Sequence, residues 1–130
     1  MNKILILEDD RKLNDGIRLA LRREDCTFLQ CQTIEEAREL LKKEKVRLIL
    51  LDLNLPDGNG LDFLQEIRAK SAVPVIIITA NNMETDIVMG LELGANDYIT
   101  KPFSLMVLRA RAGVQLRQQD MSGQTLYQEG

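Results

Sequence analysis

The chain has 130 residues, 45% hydrophobic and 28% charged, which suits one soluble domain with a real core and leaves no room for a second. Its net charge of −3 offers no basic field for wrapping nucleic acid, so direct DNA binding is not expected of this stretch. It contains no histidine, which excludes a Ser-His-Asp triad and every His-ligated metal site. Any chemistry must come from carboxylates, hydroxyls, lysine and backbone. No apolar run approaches a membrane span, and Met1-Asn2-Lys3 leads into a strand-like run without a cleavage site, so the expected location is the cytoplasm, with no membrane contact.

Lys3 to Leu7 reads as a strand buried on both faces, and it ends in Glu8-Asp9-Asp10. Leu13, Ile17, Ala20 and Leu21 recur at helical spacing behind a possible Asp10 cap, which predicts a helix from Arg11 to about Arg23. Thr27 to Gln32 is a weaker strand. Cys26 and Cys31, five apart, should point to opposite faces of it as buried thiols, which argues against a mutual disulfide. Thr33 with Glu36 forms a capping-box pattern opening a second helix that ends near Lys43.

Leu48-Ile49-Leu50-Leu51 is a third strand running straight into Asp52, and a Pro56-Asp57-Gly58-Asn59-Gly60 turn follows. A helix carried by Leu61, Leu64 and Ile67 precedes a fourth strand, Pro74 to Thr79, whose exit residue is a hydroxyl. Glu84 to Leu93 is a short helix stopped by Gly94, and Asp97 to Thr100 is a fifth strand broken by Lys101-Pro102. Ser104 to about Gln119 is the last helix, inside the domain of residues 1–117; residues 118–130 turn polar and read as a tail or the start of a linker. Met83, Met89 and Met106 read as core or interface filler. Alternating strands and helices with short connections predict a doubly wound parallel α/β sheet in a three-layer sandwich.

In such a sheet, ligands bind beyond the carboxyl ends of the strands. Those ends carry Glu8 and Asp9, Asp52, Thr79 and, just past the fifth, Lys101. Three carboxylates brought together call for a cation or a raised pKa, and an oxygen-only donor set without histidine or thiolate suits Mg²⁺. Asp52 is then the candidate nucleophile toward phosphorus, forming an acyl phosphate. Mg²⁺ on Glu8, Asp9, Asp52 and the backbone oxygen of Asn54 would offset the charge, with Lys101 and Thr79 holding the remaining phosphoryl oxygens. Two plainer readings compete: an Asp52 that merely caps a turn, and a hydrogen-bonded acid cluster with a structural lysine.

Glu8-Asp9, the Leu-Asp-Leu-Asn-Leu-Pro-Asp-Gly run around Asp52, Thr79-Ala80 and Asp97 to Phe103, in order and at these spacings, resemble the receiver domain of bacterial two-component response regulators. The resemblance spans residues 3 to about 117. It implies a flavodoxin-like fold with strand order 2-1-3-4-5 and phosphorelay function, with Asp52 phosphorylated from a histidine on a sensor histidine kinase. It also implies Mg²⁺ on Glu8 and Asp9, a phosphoryl group bound by Lys101 and Thr79, and a cis Lys101-Pro102 bond. Tyr98 would turn inward behind Thr79 as the second part of the switch. Such a domain is a regulatory phosphoacceptor, not an enzyme beyond its own phosphorylation and dephosphorylation.

The phrases Gly94 to Tyr98 and Lys101 to Ser104 resemble most the OmpR/PhoB-like transcription factors. That implies a homodimer through the fourth helix, fifth strand and fifth helix, and DNA contact only through a domain outside this chain. Asp97 and Arg111 match positions that pair across that interface, whereas Ile87 and Val107 stand where charged partners are common. We expect Ile87 to meet Val107 across the dimer axis, because burying two aliphatic side chains contributes a few kcal/mol and an exposed ion pair little. The competing reading packs both inside one subunit.

Three other functions fit the residues less well. Haloacid-dehalogenase-like phosphatases use a second Asp two residues after the nucleophile, where this chain has Asn54. A receiver-like module that is never phosphorylated would be expected to lack one of the acids, and all are present. Flavin or dinucleotide binding is disfavoured by acids where a glycine-rich turn would stand.

Overall fold

The computed structural model describes residues 2–123. Five parallel strands, β1 (Asn2–Leu7), β2 (Cys26–Cys31), β3 (Leu48–Leu51), β4 (Val75–Thr79) and β5 (Asp97–Thr100), form one sheet in the order β2-β1-β3-β4-β5. The helices are α1 (Arg11–Leu21), α2 (Ile34–Lys43), α3 (Gly60–Arg68), α4 (Glu84–Glu92) and α5 (Leu105–Gly123). The expected flavodoxin-like order is therefore present.

The continuous apolar strands bury both faces, since successive side chains point to opposite sides. Leu5, Leu7, Ile49, Leu51, Val75 and Ile77 pack with Ala37 of α2 and with Phe63, Leu64 and Ile67 of α3. Ile4, Ile6, Leu48, Leu50, Ile76 and Ile78 pack on the other side with Ile17 and Leu21 of α1 and Leu108, Ala112 and Leu116 of α5. Cys31 and Cys26 fall into these two opposite clusters as free thiols.

Asp10 caps α1 as expected, its carboxylate accepting from the Leu13 amide at 3.1 Å. The helix ends at Leu21, two residues early, where Arg109 of α5 donates to the Ala20 and Arg22 carbonyls at 2.8 and 3.2 Å and takes the place of further helical turns. Thr33 accepts from the Glu36 amide at 3.1 Å, but the returning carboxylate of Glu36 takes the Gln32 amide rather than that of Thr33. The helix α5 runs to Gly123, beyond the fading of its apolar period and into the stretch 118–130 read as a tail. From 124 on, that stretch lies outside the described residues.

The stretch read as a plain turn after Asp52 is instead a small antiparallel hairpin pairing Asn54–Leu55 with Gly58–Asn59. Two-residue strands carry no periodicity that a sequence pattern could reveal. Of the two readings of the methionines, core or interface, the core one fails: Met83, the cap of α4, Met89 of α4 and Met106 of α5 are 60%, 49% and 72% exposed.

Candidate functional site

The carboxyl ends of β1, β3 and β4 bring the predicted polar groups together. Glu8 and Asp52 are buried, at 0% and 2% exposure, while Asp9 is open to solvent. Lys101, directed back over the sheet after β5 beside a cis Lys101-Pro102 bond, places Nζ 2.9 Å from Asp52 Oδ2 and 2.7 Å from Glu8 Oε1. The first contact is an aligned hydrogen bond; at Glu8 Oε1 the contact is ionic without hydrogen-bond alignment. Asp52 Oδ1 accepts from the Asn54 amide at 3.1 Å, and Glu8 Oε2 from the Asp10 amide at 2.9 Å.

Burial pushes the Glu8 carboxyl up to about 7, against the opposing pull of Lys101 and the Asp10 amide. Burial alone would lower Lys101, but its close contacts with the Glu8 and Asp52 carboxylates outweigh it and hold the ammonium above its ordinary range. One ammonium thus faces two buried acids, with a third acid beside them. Glu8, Asp9 and Asp52 each offer a carboxylate oxygen within 4.8 Å of the others. An all-oxygen donor set with a buried, unaligned carboxylate oxygen fits Mg²⁺.

The loop after Asp52 is held close by Gly60, whose amide donates to Leu53 O at 2.9 Å. A Cβ there would lie 2.6 Å from the Asp52 carbonyl oxygen and the Leu53 Cα, so only glycine lets α3 begin against this backbone. A cavity of about 390 Å³ opens beside Asp9, Asn54 and Pro56. A second cleft of about 380 Å³ between α2 and α3, floored by Ile49, Phe63 and Ile67, lies toward the opposite ends of the strands, where Val46 and Val73 precede β3 and β4.

Thr79 is fully buried at the tip of β4, its hydroxyl accepting from the Asn81 amide at 3.3 Å. The Tyr98 hydroxyl donates to the Asn81 carbonyl at 2.9 Å, so the ring already reaches the loop behind Thr79. Burial, then Asp86 and Asp52, raise the phenol above its ordinary value and keep it a donor.

Of the four residues placed on a dimer face, Asp97 and Arg111 meet within one chain, at 3.0 Å. Val107 is 45% exposed and Ile87 half-buried, so Val107 is not packed inside the subunit. Asn96 accepts from the Val75 amide at 2.9 Å and from Arg68 at 3.0 Å, and so serves the fold.

Two contributors escaped the sequence reading. Asn14 is buried, and its side-chain amide donates to the carbonyls of Glu8 at 3.0 Å and Cys31 at 3.1 Å. The signal was available: Asn14 shares the buried stripe of α1 with Ile17 and Leu21, a polar residue where an apolar one belongs. Asp57, at the hairpin tip, accepts from the Ile34 and Glu35 amides at 2.8 and 3.0 Å and so caps α2 from outside. Those bonds, that of Ile34 first, hold its carboxyl below the usual range.

A parallel five-stranded sheet with two buried acids and a lysine at its carboxyl rim defines a class of phosphate-handling α/β domains. Residues 4–113 match the response regulator receiver domain, and the chain belongs to that family. Its relatives are transcriptional regulators of the OmpR/PhoB type. It is 44% identical over 124 residues to the transcriptional regulatory protein CpxR of Klebsiella pneumoniae, covering 95% of this chain and 53% of that protein. To the regulatory protein VanR of Enterococcus faecium it is 41% identical over 116 residues, covering 89% and 50%. The chain thus spans about half the length of the curated relatives it matches. Among solved structures it resembles the BeF3-activated N-terminal receiver domain of Klebsiella pneumoniae RstA, with a TM-score of 0.83, 32% identity and coverage of 90% and 100%. A two-component response regulator from Clostridium difficile superposes with a TM-score of 0.88 at 28% identity, over 92% and 99% of the two chains. Membership places the chain in phosphorelay signalling. No helix of the described residues is long and apolar enough to cross a membrane.

Proposed function

We propose that Asp52 is the phosphoacceptor, taking a phosphoryl group from a histidine of a sensor histidine kinase. The carrying observation is the Lys101 ammonium 2.9 Å from the Asp52 carboxylate, with Glu8 and Asp9 alongside. An Asp52 oxygen forms the new bond to phosphorus as the bond to the donor imidazole nitrogen breaks, and the imidazole keeps that electron pair. Lys101 and Thr79 bind phosphoryl oxygens, and the Lys101 ammonium beside Asp52 offsets the negative charge that gathers there. Mg²⁺, held by Glu8, Asp9, Asp52 and the Asn54 backbone oxygen, supplies positive charge to the phosphoryl oxygens when bound. The domain acts as a switch, catalysing only its own phosphorylation and dephosphorylation.

The output we infer is transcriptional, in the cytoplasm, through a DNA-binding portion outside this chain, because the matched relatives are transcriptional regulators about twice its length. The partner face is that of α4, β5 and α5, used by a second copy; its support is the exposed apolar set Val88, Met89, Met106 and Val107 beside Asp97 and Arg111.

The test is the intact mass after incubation with a small-molecule phosphodonor, with and without Mg²⁺, for the wild type and Asp52→Asn. A single Mg²⁺-dependent phosphoryl adduct that disappears in the variant is the expected result. No adduct on the wild type would leave a phosphorylation-independent module, and an adduct retained by the variant would move the acceptor to another residue.

A further inference from the structure

The helix α4 meets the sheet through a glycine. Gly90 is its one buried residue, and the Met83 cap contributes no side-chain hydrogen bond, so this helix has little of its own to hold it in place. Glycine is the poorest helix former after proline, and its presence mid-helix asks for a reason. At Gly16 of α1 a Cβ would meet nothing within 4 Å. At Gly90 a Cβ would lie 3.2 Å from both Cδ2 and Cε2 of Tyr98 and 2.9 Å from Ile77 Cδ1. The edge of the Tyr98 ring therefore lies against the space that any other residue at position 90 would claim. From there its hydroxyl reaches the Asn81 carbonyl at 2.9 Å, and the Asn81 amide in turn reaches Thr79 Oγ1 at 3.3 Å.

We propose that Gly90 is the positioning residue of the switch: by lacking a side chain it opens the slot that seats Tyr98 inward, and so sets the ratio of inward to outward ring. The inference rests on the reading of Tyr98 and Thr79 as switch residues. A methyl group at position 90 must displace either the Ile77 methyl, which has some freedom, or the aromatic ring, whose open direction is outward and away from Asn81. Gly90 acts on the site only through Tyr98 and its bonds by way of Asn81 to Thr79.

Gly90→Ala tests this, with Gly16→Ala as the matched gain in helix propensity without a contact. The chain has two tyrosines, so 3-fluorotyrosine labelling gives two fluorine resonances, and Tyr127→Phe assigns them. In the full unphosphorylated chain, Gly90→Ala should move the Tyr98 resonance toward its solvent-exposed position, an about tenfold change in the in-to-out ratio, and Gly16→Ala should leave it in place. A thermal cycle covers the case of a poorly folded variant: in a Tyr98→Ala background Gly90→Ala should raise the melting temperature as much as Gly16→Ala does, and in the wild-type background it should not. An unmoved Tyr98 resonance, or equal shifts in melting temperature in the two backgrounds, would overturn the proposal. Failure of the phosphoacceptor reading would show separately, as a missing adduct on the wild type, and leaves the fluorine comparison intact.

Discussion

Asn14 donates from its side-chain amide to the main-chain carbonyl of Glu8 at 3.0 Å, and this bond ties α1 to the strand end that carries two of the three acids. The same amide reaches Cys31 O at 3.1 Å, and Asn14 Oδ1 accepts from Gln30 at 2.9 Å, so one buried side chain joins the ends of β1 and β2. Asn14→Ala removes these bonds from a buried site, with Cys31 O keeping the Glu8 amide, and should cost about 1–3 kcal/mol of stability. Urea unfolding checks this as a lower midpoint at unchanged slope.

Glu8 gives the site a dependence on pH near neutrality. Its carboxyl, pushed up to about 7 by burial, binds a proton in the folded state over the range in which the unfolded chain, with a carboxylate pKa of 4.5, has lost it. Its contribution to stability therefore falls as pH rises from about 4.5 to about 7. Mg²⁺ requires the ionised form, so its affinity should weaken as pH falls below 7, by up to about tenfold per unit for one competing proton. Isothermal titration with Mg²⁺ at a series of pH values reads this directly, and a flat profile would contradict it.

At the acid end, the group to follow is Asp57. The Ile34 and Glu35 amides lower its pKa, so its cap on α2 is intact above the ordinary carboxylate range and is lost as pH falls through the lowered value. Asp57→Ala should lower the melting temperature at pH 7, and the difference from wild type should shrink on acidification. A constant gap across the acid range would mean that the carboxylate charge is not what holds the helix.

Val107 and Ile87 give a prediction about assembly. With Val107 exposed and Met106 more so, an apolar contact between copies is available before phosphorylation and should resist salt. Sedimentation of the unphosphorylated chain should show concentration-dependent dimers that persist in salt and are abolished by Val107→Asp. A monomer at all concentrations, or dissociation by salt alone, sinks the idea.

The three central strands were legible because they carry unbroken aliphatic runs ending in polar residues, a pattern that sets both the element and its depth. The rim acids and Thr79 were legible for the same reason, since each stands where such a run stops, and Lys101 through the Lys101-Pro102 break after the fifth strand. Asp57 was not, because its partners Ile34 and Glu35 lie more than twenty residues away and no local pattern reports a cap supplied by another loop. The methionines stayed open between core and interface because unbranched apolar side chains suit both equally. Gly90 was invisible as anything but a flaw in a helix, since a slot is defined by the ring that enters it.

The economy of α4 has a further result. Met83, Val88, Met89 and Leu91 all lie on the outside, and only Gly90 faces fully inward. None of the four belongs to either core cluster, so this surface can vary in sequence at little cost to the sheet. A family built this way can change whom it talks to without relearning how to fold.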